Sequence, residues 1–243
     1  MKYKHLFGPV PSRRFGRSLG IDLTPYKTCS FDCIFCQLGR TTNKTVKREE
    51  YVPTSEIIEE LDDWLKNDGA ADYITLSGSG EPTLHSEFGK ILEYIRAVTT
   101  IPAVLLTNAS LLHLPEVRRA AASANVVKAS LSAWDQLSFE HINRPDRSIK
   151  LKNIVEGLWS LRSEFNGEIW IEVFLVWGTN TVAADISRIA ELVKAVEPNH
   201  VQLNTAVRPP SEEYAFAVPP KDMEKISELF DPPDEIIPEF SAD

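Results

Sequence analysis

The sequence predicts an α/β fold in which six β/α units form a partial (β/α)6, TIM-like barrel of parallel strands. Short β-rich apolar runs alternate six times with longer segments of helical period, a pattern typical of parallel sheets. Polar residues recur at alternate positions near the carboxyl end of each run. An open, doubly wound sheet shares this order of elements, but its strands read as continuous Val, Ile and Leu. The alternation therefore favours a curved sheet with a partly hydrated interior.

The elements follow in chain order. We expect strands near 19–23, 73–77, 104–107, 126–130, 169–176 and 201–204. Apolar residues at helical spacing predict helices over 57–65, 88–95, 151–159 and 186–193, with shorter ones over 116–122 and 136–142 and a closing helix over 221–230. Lys128 and Glu172 fall on neighbouring strands, so we expect them to pair inside the barrel.

Composition predicts one core domain. No linker or low-complexity run divides the chain, so we assign residues 1–230 to the core domain and 231–243 to a Pro-rich, acidic, poorly ordered tail. With 43% hydrophobic residues and no apolar run near the length of a membrane span, we expect a cytoplasmic protein that makes no membrane contact.

The charge is unevenly distributed. The net charge of −9 argues against broad binding to nucleic-acid phosphates. Residues 1–48 nevertheless contain ten Lys or Arg and two Asp, so this stretch carries +8 and the remainder −17. The basic stretch is either a solvated edge or a surface that faces an anionic substrate.

All three cysteines of the chain, Cys29, Cys33 and Cys36, lie within eight residues as Cys-x3-Cys-x-Phe-Cys. Thiolates at this spacing suit an iron–sulfur cube, in which three ligands leave one iron open. An odd number of cysteines fits a disulfide poorly. A structural zinc site needs four ligands, and the five histidines are scattered singly. A zinc-binding structural domain remains one alternative, and an α/β nucleic-acid-binding module that uses the basic stretch is another.

The cysteine motif resembles the signature of the radical S-adenosylmethionine (SAM) superfamily. A second motif, Gly78-Ser79-Gly80-Glu81-Pro82, resembles the Gly-Gly-Glu-Pro motif of the same superfamily, with Ser79 in place of its first glycine. The flanking stretches 7–20 and 202–210 resemble a branch related to the tRNA wyosine-forming iron–sulfur oxidoreductases. The resemblance covers roughly residues 5–230 and implies the same partial (β/α)6 barrel.

The resemblance also implies an activity and its cofactors. The three cysteines would hold a [4Fe-4S] cluster, and SAM would chelate the open iron. An electron from a reductant such as flavodoxin or ferredoxin would then cleave SAM to a 5′-deoxyadenosyl radical that abstracts hydrogen from the substrate. In this interpretation Ser132 stands where many relatives have Asp. The expected SAM contacts are Phe35, Gly78, Ser79, Gly80, Glu81, Asn108, Ser130 and Ser132.

The substrate is the least specified part of the sequence. A small molecule, a peptide or a nucleotide fits, and no acid or base can be assigned. Arginines near one rim are expected to clamp phosphate or carboxylate. Wyosine-like tRNA modification is the runner-up, because those relatives carry additional cysteines for a second cluster and this chain has none. The candidate substrate contacts are Arg13, Arg14, Arg17, Arg144, Glu172, Gln202 and Arg208.

Overall fold

The structure, a computed structural model, describes residues 2–12, 15–230 and 235–236. The strands in these ranges are β1 (Leu6–Ser12), β2 (Gly16–Asp22), β3 (Thr28–Cys29), β4 (Asn43–Lys44), β5 (Tyr73–Ser77), β6 (Ala103–Thr107), β7 (Val126–Ser130), β8 (Glu168–Leu175), β9 (His200–Thr205) and β10 (Glu235–Ile236). Eight of them form one sheet in the order β1-β2-β5-β6-β7-β8-β9-β10, and β3 pairs with β4.

The predicted architecture is confirmed. Strands β2 and β5 to β9, which correspond to the six predicted strands, are each parallel to their neighbours and curl into a half-barrel. Helices on the outer side of the sheet connect them. The seven predicted helices are present: α1 (Thr54–Asn67), α2 (Phe88–Val98), α3 (Pro115–Ala121), α4 (Gln136–Ile142), α5 (Leu151–Glu164), α6 (Ala183–Val196) and α7 (Pro220–Ser227).

The helices form because each presents one apolar face to the sheet. On α1, Ile57, Leu61 and Trp64 recur at intervals of three and four residues and are fully buried. Helix α4 begins with a capping box, in which Asp135 and Ser138 satisfy each other's backbone N–H groups. The main hydrophobic core therefore lies between the outer face of the sheet and the helices.

The inner face of the sheet is different in character. Residues of β8 alternate between Ile169, Ile171 and Val173 in the outer core and Trp170, Glu172 and Phe174 on the inner face. Phe15 closes the amino-terminal end of the barrel, stacking on Trp170 with ring centroids 4.9 Å apart. Farther along, Lys128 Nζ and Glu172 Oε1 are 2.6 Å apart, which confirms the predicted pair. The lumen thus has an aromatic base and a polar upper part.

The sequence prediction missed strand β1, which pairs antiparallel with β2 at the edge of the sheet. Its sequence contains Gly8-Pro9 and Pro11 and was therefore not predicted as a strand. An edge strand tolerates proline because one row of its N–H groups needs no partner strand. The sheet is therefore mostly, rather than entirely, parallel.

The closing segment is only partly described. Helix α7 begins at Pro220 and ends at Ser227, slightly shorter than predicted. Residues 235–236 of the predicted tail pair in parallel with β9. The rest of 231–243 lies outside the described residues, so the prediction of a poorly ordered tail stays a prediction. None of the helices in the described ranges has the length and apolarity that a membrane crossing requires.

Candidate active site

The cysteine loop follows the carboxyl end of β2 and is fixed by loops from elsewhere on the rim. Cys29 ends the short strand β3, and the backbone N–H of Cys36 donates to Cys33 O at 3.1 Å. The N–H of Asp146, in the loop after α4, donates to Ser30 O at 2.8 Å, and Ser211 Oγ, in the loop after β9, donates to Cys33 O at 2.8 Å. The loops after α4 and β9 therefore fix the backbone of the cysteine loop.

Each cysteine sulfur also has a nitrogen donor from another side chain. The pairs are Asn108 Nδ2 to Cys29 Sγ at 3.6 Å, Asn143 Nδ2 to Cys33 Sγ at 3.4 Å, and Lys27 Nζ to Cys36 Sγ at 3.1 Å. Donors directed at sulfur are typical of iron–sulfur sites, where they stabilise the negative charge on the thiolates.

The three cysteines are half-buried, and this environment acts on their protonation. Burial, with the nearby charge of Glu81, raises the pKa of Cys29 to about 12, although Lys27 partly opposes the shift. Burial and the neighbouring Cys29 also raise the pKa of Cys33. Without a metal centre these two thiols are therefore protonated at neutral pH, and metal binding would displace the protons.

The Gly-Ser-Gly-Glu motif follows β5 and packs directly against the cysteine loop. Asp22 at the end of β2 accepts Ser79 N at 3.0 Å and also accepts the Ser79 hydroxyl. Ser79 O accepts Lys27 N at 2.8 Å. A Cβ at Gly80 would lie 1.8 Å from Thr28 O, so only glycine allows this approach. The motif is thus the wall against which the first part of the cysteine loop is fixed.

Glu81 is an internal anchor rather than an open side chain. It is 2% exposed, and its carboxylate accepts Thr83 N at 3.0 Å, Thr107 Oγ1 at 2.6 Å and Asn108 N at 2.7 Å. Burial raises the pKa of Glu81, against the opposing effect of these hydrogen bonds. Asn108 in turn donates to Ser30 Oγ at 2.8 Å. Glu81 therefore links three rim loops, and direct contact of its side chain with SAM stays a prediction.

The two serines at the end of β7 differ in their surroundings. Ser132 is buried, its hydroxyl accepts Phe174 N at 2.9 Å, and its carbonyl accepts Asn180 Nδ2 at 2.9 Å. Ser130 is half-buried, and its hydroxyl has no protein partner among the described residues. The Ser130 hydroxyl is therefore available to a ligand, whereas that of Ser132 connects β7 to β8.

A cavity of about 390 Å³ opens beside Cys36 on the inner face of the sheet. Phe35 lies at this cavity and stacks on Phe174, with ring centroids 4.0 Å apart. Glu172 Oε1 accepts Asn204 Nδ2 at 3.2 Å as well as the lysine described above. The lining residues are Val10, Pro11, Ser12, Phe35, Cys36, Gln37, Glu172, Phe174, Asn204 and Arg208.

Some predicted substrate contacts share this cavity and others do not. Glu172 and Arg208 line it, and Gln202 is buried on β9 beside Glu172. Arg144 instead pairs with Glu212, its Nη1 2.6 Å from Oε1. Arg144 still lies on the rim beside the cysteine loop, because its carbonyl accepts Asp32 N at 3.2 Å, and its contact with a substrate stays a prediction.

Arg17 lies near the amino end of β2 and lines a separate cavity on the outer side of the sheet, beside Trp64 and Asp68. Arg17 does not share a cavity with Arg208, because residues at the amino end of a parallel strand lie opposite the carboxyl rim, and its contact with a substrate stays a prediction. Arg13 and Arg14 lie outside the described residues.

Seven of the eight described basic residues in the stretch 1–48 make side-chain contacts with other residues: Lys2, Lys4, Lys27, Arg40, Lys44, Lys47 and Arg48.

Sequence reasoning missed Lys27, Asn143 and Asp22. Lys27 precedes the first cysteine by two residues, and Asn143 precedes the Arg-Pro turn after α4. Proximity to the motif was the only signal for Lys27, whereas Asn143 reaches Cys33 across 110 residues of sequence. Asp22 was noted only as a polar strand end.

The chemistry of the donor set fits an iron–sulfur centre. Three thiols lie on one loop, each with a nitrogen donor to its sulfur, and a polar cavity opens beside Cys36. Within the described ranges, no three Cys, His, Asp or Glu side chains lie close enough together to share a single metal ion. The thiol motif and the nitrogen donors at each sulfur therefore fit a cluster better than a single metal ion.

The sequence profile of the radical SAM superfamily matches residues 23–136, which include all three cysteines. The chain is 42% identical over 231 residues to a protein named GTPase Obg from Brachyspira hyodysenteriae, covering 95% of this chain and 34% of that protein. It is 36% identical over 225 residues to a UPF0026 protein from Methanocaldococcus jannaschii, covering 92% and 69%. The chain thus spans about a third of the first relative's length.

Solved structures share the fold. A radical SAM methyltransferase from Sphaerobacter thermophilus superposes with a TM-score of 0.71 at 15% identity, covering 90% of this chain and 65% of that one. TYW1 with a lysine–pyruvate adduct bound superposes with a TM-score of 0.66 at 16% identity, covering 90% and 74%. At such low identity these likenesses concern the fold.

Proposed function

The chain belongs to the UPF0026 family and to the radical SAM superfamily, and we propose that it cleaves SAM reductively to start a radical reaction on a substrate bound in its half-barrel. The observation that carries the proposal is the trio Cys29, Cys33 and Cys36, fixed at the carboxyl rim with one nitrogen donor at each sulfur. A [4Fe-4S] cluster bound there, with one open iron, would supply the electron that breaks the C5′–S bond of SAM.

The protein's own residues would orient SAM. Gly78 and Gly80 let the backbone approach closely, and Asp22 fixes the intervening Ser79. Asn108 and Ser130 present polar groups from the next strands of the rim. Phe35, stacked on Phe174, offers an aromatic face beside Cys36 for the adenine ring. These positions surround the cysteine loop on three sides.

The substrate would occupy the lumen. The cavity of about 390 Å³ is within the range typical of small-molecule sites, so it suits a small molecule or a single residue of a peptide or nucleic acid. Glu172, Asn204 and Arg208 supply polar contacts there. The aromatic base formed by Phe15, Tyr73 and Trp170 closes the opposite end of the lumen.

Anaerobic reconstitution tests the cluster. We expect about four irons and four sulfides per chain, and an EPR signal of a reduced cubane after one-electron reduction by flavodoxin, ferredoxin or dithionite. Replacing each cysteine with alanine in turn should abolish both. The exposed residue Ser148 provides a matched control, because Ser148→Ala should retain the full iron content. A colourless wild-type protein with one zinc per chain would contradict the proposal and favour a zinc domain.

Wyosine-like tRNA modification is retained only as a second substrate class. The structural likeness to TYW1 concerns the fold, and the three cysteines would provide ligands for one cluster. Incubation of the reduced protein and SAM with tRNA, a peptide pool and a metabolite pool, followed by mass spectrometry, separates the classes. If tRNA is the only pool that is modified, tRNA becomes the favoured substrate class.

A further inference from the structure

Lys27 has an unusual position for a lysine. Its backbone adopts the left-handed conformation with φ of 58°, which non-glycine residues rarely occupy. The conformation is held on both sides: Lys27 N donates to Ser79 O at 2.8 Å, and Lys27 O accepts Asn43 N at 3.1 Å. These contacts fix the direction in which the side chain leaves the backbone.

The Lys27 side chain is buried, with 3% of the residue exposed. Lysine is almost never fully buried unless its ammonium group is paired with negative charge. Within the described residues, no ion pair with a carboxylate involves Lys27, and its Nζ lies 3.1 Å from Cys36 Sγ. Among the residues that the structure describes, the partner of this buried cation is therefore the sulfur of Cys36.

Building on the proposed function, we propose that Lys27 is the charge-balancing residue of the cluster, donating to the Cys36 sulfur and making the cluster easier to reduce. The potential of an iron–sulfur cluster depends on its net charge, the hydrogen bonds to its sulfurs and its exposure. Reduction adds one electron from the external reductant. A fixed positive charge at a ligand sulfur stabilises the reduced cluster more than the oxidised one.

The neighbouring groups make this role specific to Lys27. Asn108 and Asn143 donate to the other two sulfurs but are neutral. Glu81, which acts electrostatically on Cys29, is acidic and favours the oxidised cluster. The positive charge of Lys27 thus offsets both the negative charge of Glu81 and the negative charge that the cluster gains on reduction.

An EPR-monitored redox titration of the reconstituted full chain, without SAM, tests the inference. Lys27→Met keeps the length of the apolar stem and removes the charge. We expect its midpoint potential to shift to more negative values by about 59 mV or more, which is a tenfold loss in the equilibrium constant for one-electron reduction. Lys27→Arg should stay near wild type. Lys27→Gln, which keeps a donor without the charge, should lie between Lys27→Met and wild type.

The matched control is Lys47→Met, because Lys47 carries the same charge on the surface in a pair with Glu49. It should leave the potential unchanged. If Lys27→Met and Lys27→Gln lose the cluster while Lys27→Arg keeps it, the iron content shows that the cluster requires a positive charge at position 27. A wild-type potential in Lys27→Met with full iron content overturns this inference alone. Absence of a cubane from the wild-type protein overturns the proposed function and this inference with it.

Discussion

The Oε2 atom of Glu81 accepts the backbone N–H of Asn108 at 2.7 Å, and this bond joins the loop after β5 to the loop after β6. Asn108 then reaches the cysteine loop through Ser30 Oγ and Cys29 Sγ. A buried carboxylate therefore holds the side chain that approaches Cys29, the first cysteine of the motif. The motif glutamate acts on the site through this connection, whether or not it also contacts SAM.

Glu81→Gln should lower the free energy of unfolding by about 2 kcal/mol, because the amide nitrogen would face N–H donors that now meet a carboxylate oxygen. Urea titration of the unreconstituted protein measures this loss. Glu59→Gln, at an exposed position of α1, is the control and should change the unfolding free energy little. Equal losses in the two variants would show that Glu81 is not an anchor.

Ser130→Ala and Ser132→Ala should separate ligand binding from stability. Ser132→Ala removes the acceptor of Phe174 N, so we expect a loss of about 2 kcal/mol in the free energy of unfolding. Ser130→Ala should leave stability unchanged and weaken SAM binding to the reconstituted protein several-fold, by about 1 kcal/mol. Equilibrium dialysis with SAM and urea titration give the two readouts. If SAM affinity were lost only in Ser132→Ala, the assignment of Ser130 as the SAM contact would be refuted.

Phe35→Leu should weaken SAM binding about fivefold, since loss of an aromatic stacking contact costs about 1 kcal/mol. The measurement is the Kd of SAM for the reconstituted protein, compared at equal iron content. Trp159→Leu changes an exposed aromatic residue on α5 and serves as the control. An unchanged Kd in Phe35→Leu would remove Phe35 from the set of SAM contacts.

His85 should make stability depend on pH. It is fully buried, its Nε2–H donates to Val52 O at 2.8 Å and its Nδ1 accepts Glu87 N at 3.2 Å. The second bond requires the neutral ring, because protonation would make Nδ1 a donor. Burial lowers the pKa of His85. As pH falls below about 6.5, His85 therefore takes up a proton in the unfolded chain before it does so in the folded protein.

The stabilisation by neutral His85 is present above that pH and is lost as pH falls toward the lowered folded pKa, at a rate of at most about 1.4 kcal/mol per pH unit. Urea titrations between about pH 7.5 and pH 5 measure the slope. In His85→Gln, which cannot titrate there, the slope should be shallower. Identical slopes for wild type and His85→Gln would contradict the assignment.

The fold was predictable because the signals that determine it are local and periodic. The apolar spacing of α1 and the alternation along β8 follow directly from the sequence, and they indicated both the outer core and the polar lumen. Strand β1 was not predictable in the same way. Its prolines are compatible with a strand only at a sheet edge, and the position of an edge is a property of the assembled sheet.

The site was predictable where a motif carries the chemistry and unpredictable where contacts are long-range. The cysteines stood out by their spacing, and the glycines by the resemblance of their motif to that of the superfamily. The bond from Asn143 to Cys33 depends on how the loop after α4 returns over the rim, and periodicity does not encode that path. Arg17 was grouped with the rim arginines although it lies at the amino end of β2, opposite the carboxyl rim.

The decisive measurement is the release of 5′-deoxyadenosine from SAM by the anaerobically reconstituted, reduced protein. The wild-type chain should form 5′-deoxyadenosine together with methionine, and Cys33→Ala, which removes one of the three thiols, should form neither. If wild-type protein with a complete, reduced [4Fe-4S] cluster and bound SAM releases no 5′-deoxyadenosine with any substrate pool, the proposed radical chemistry is wrong.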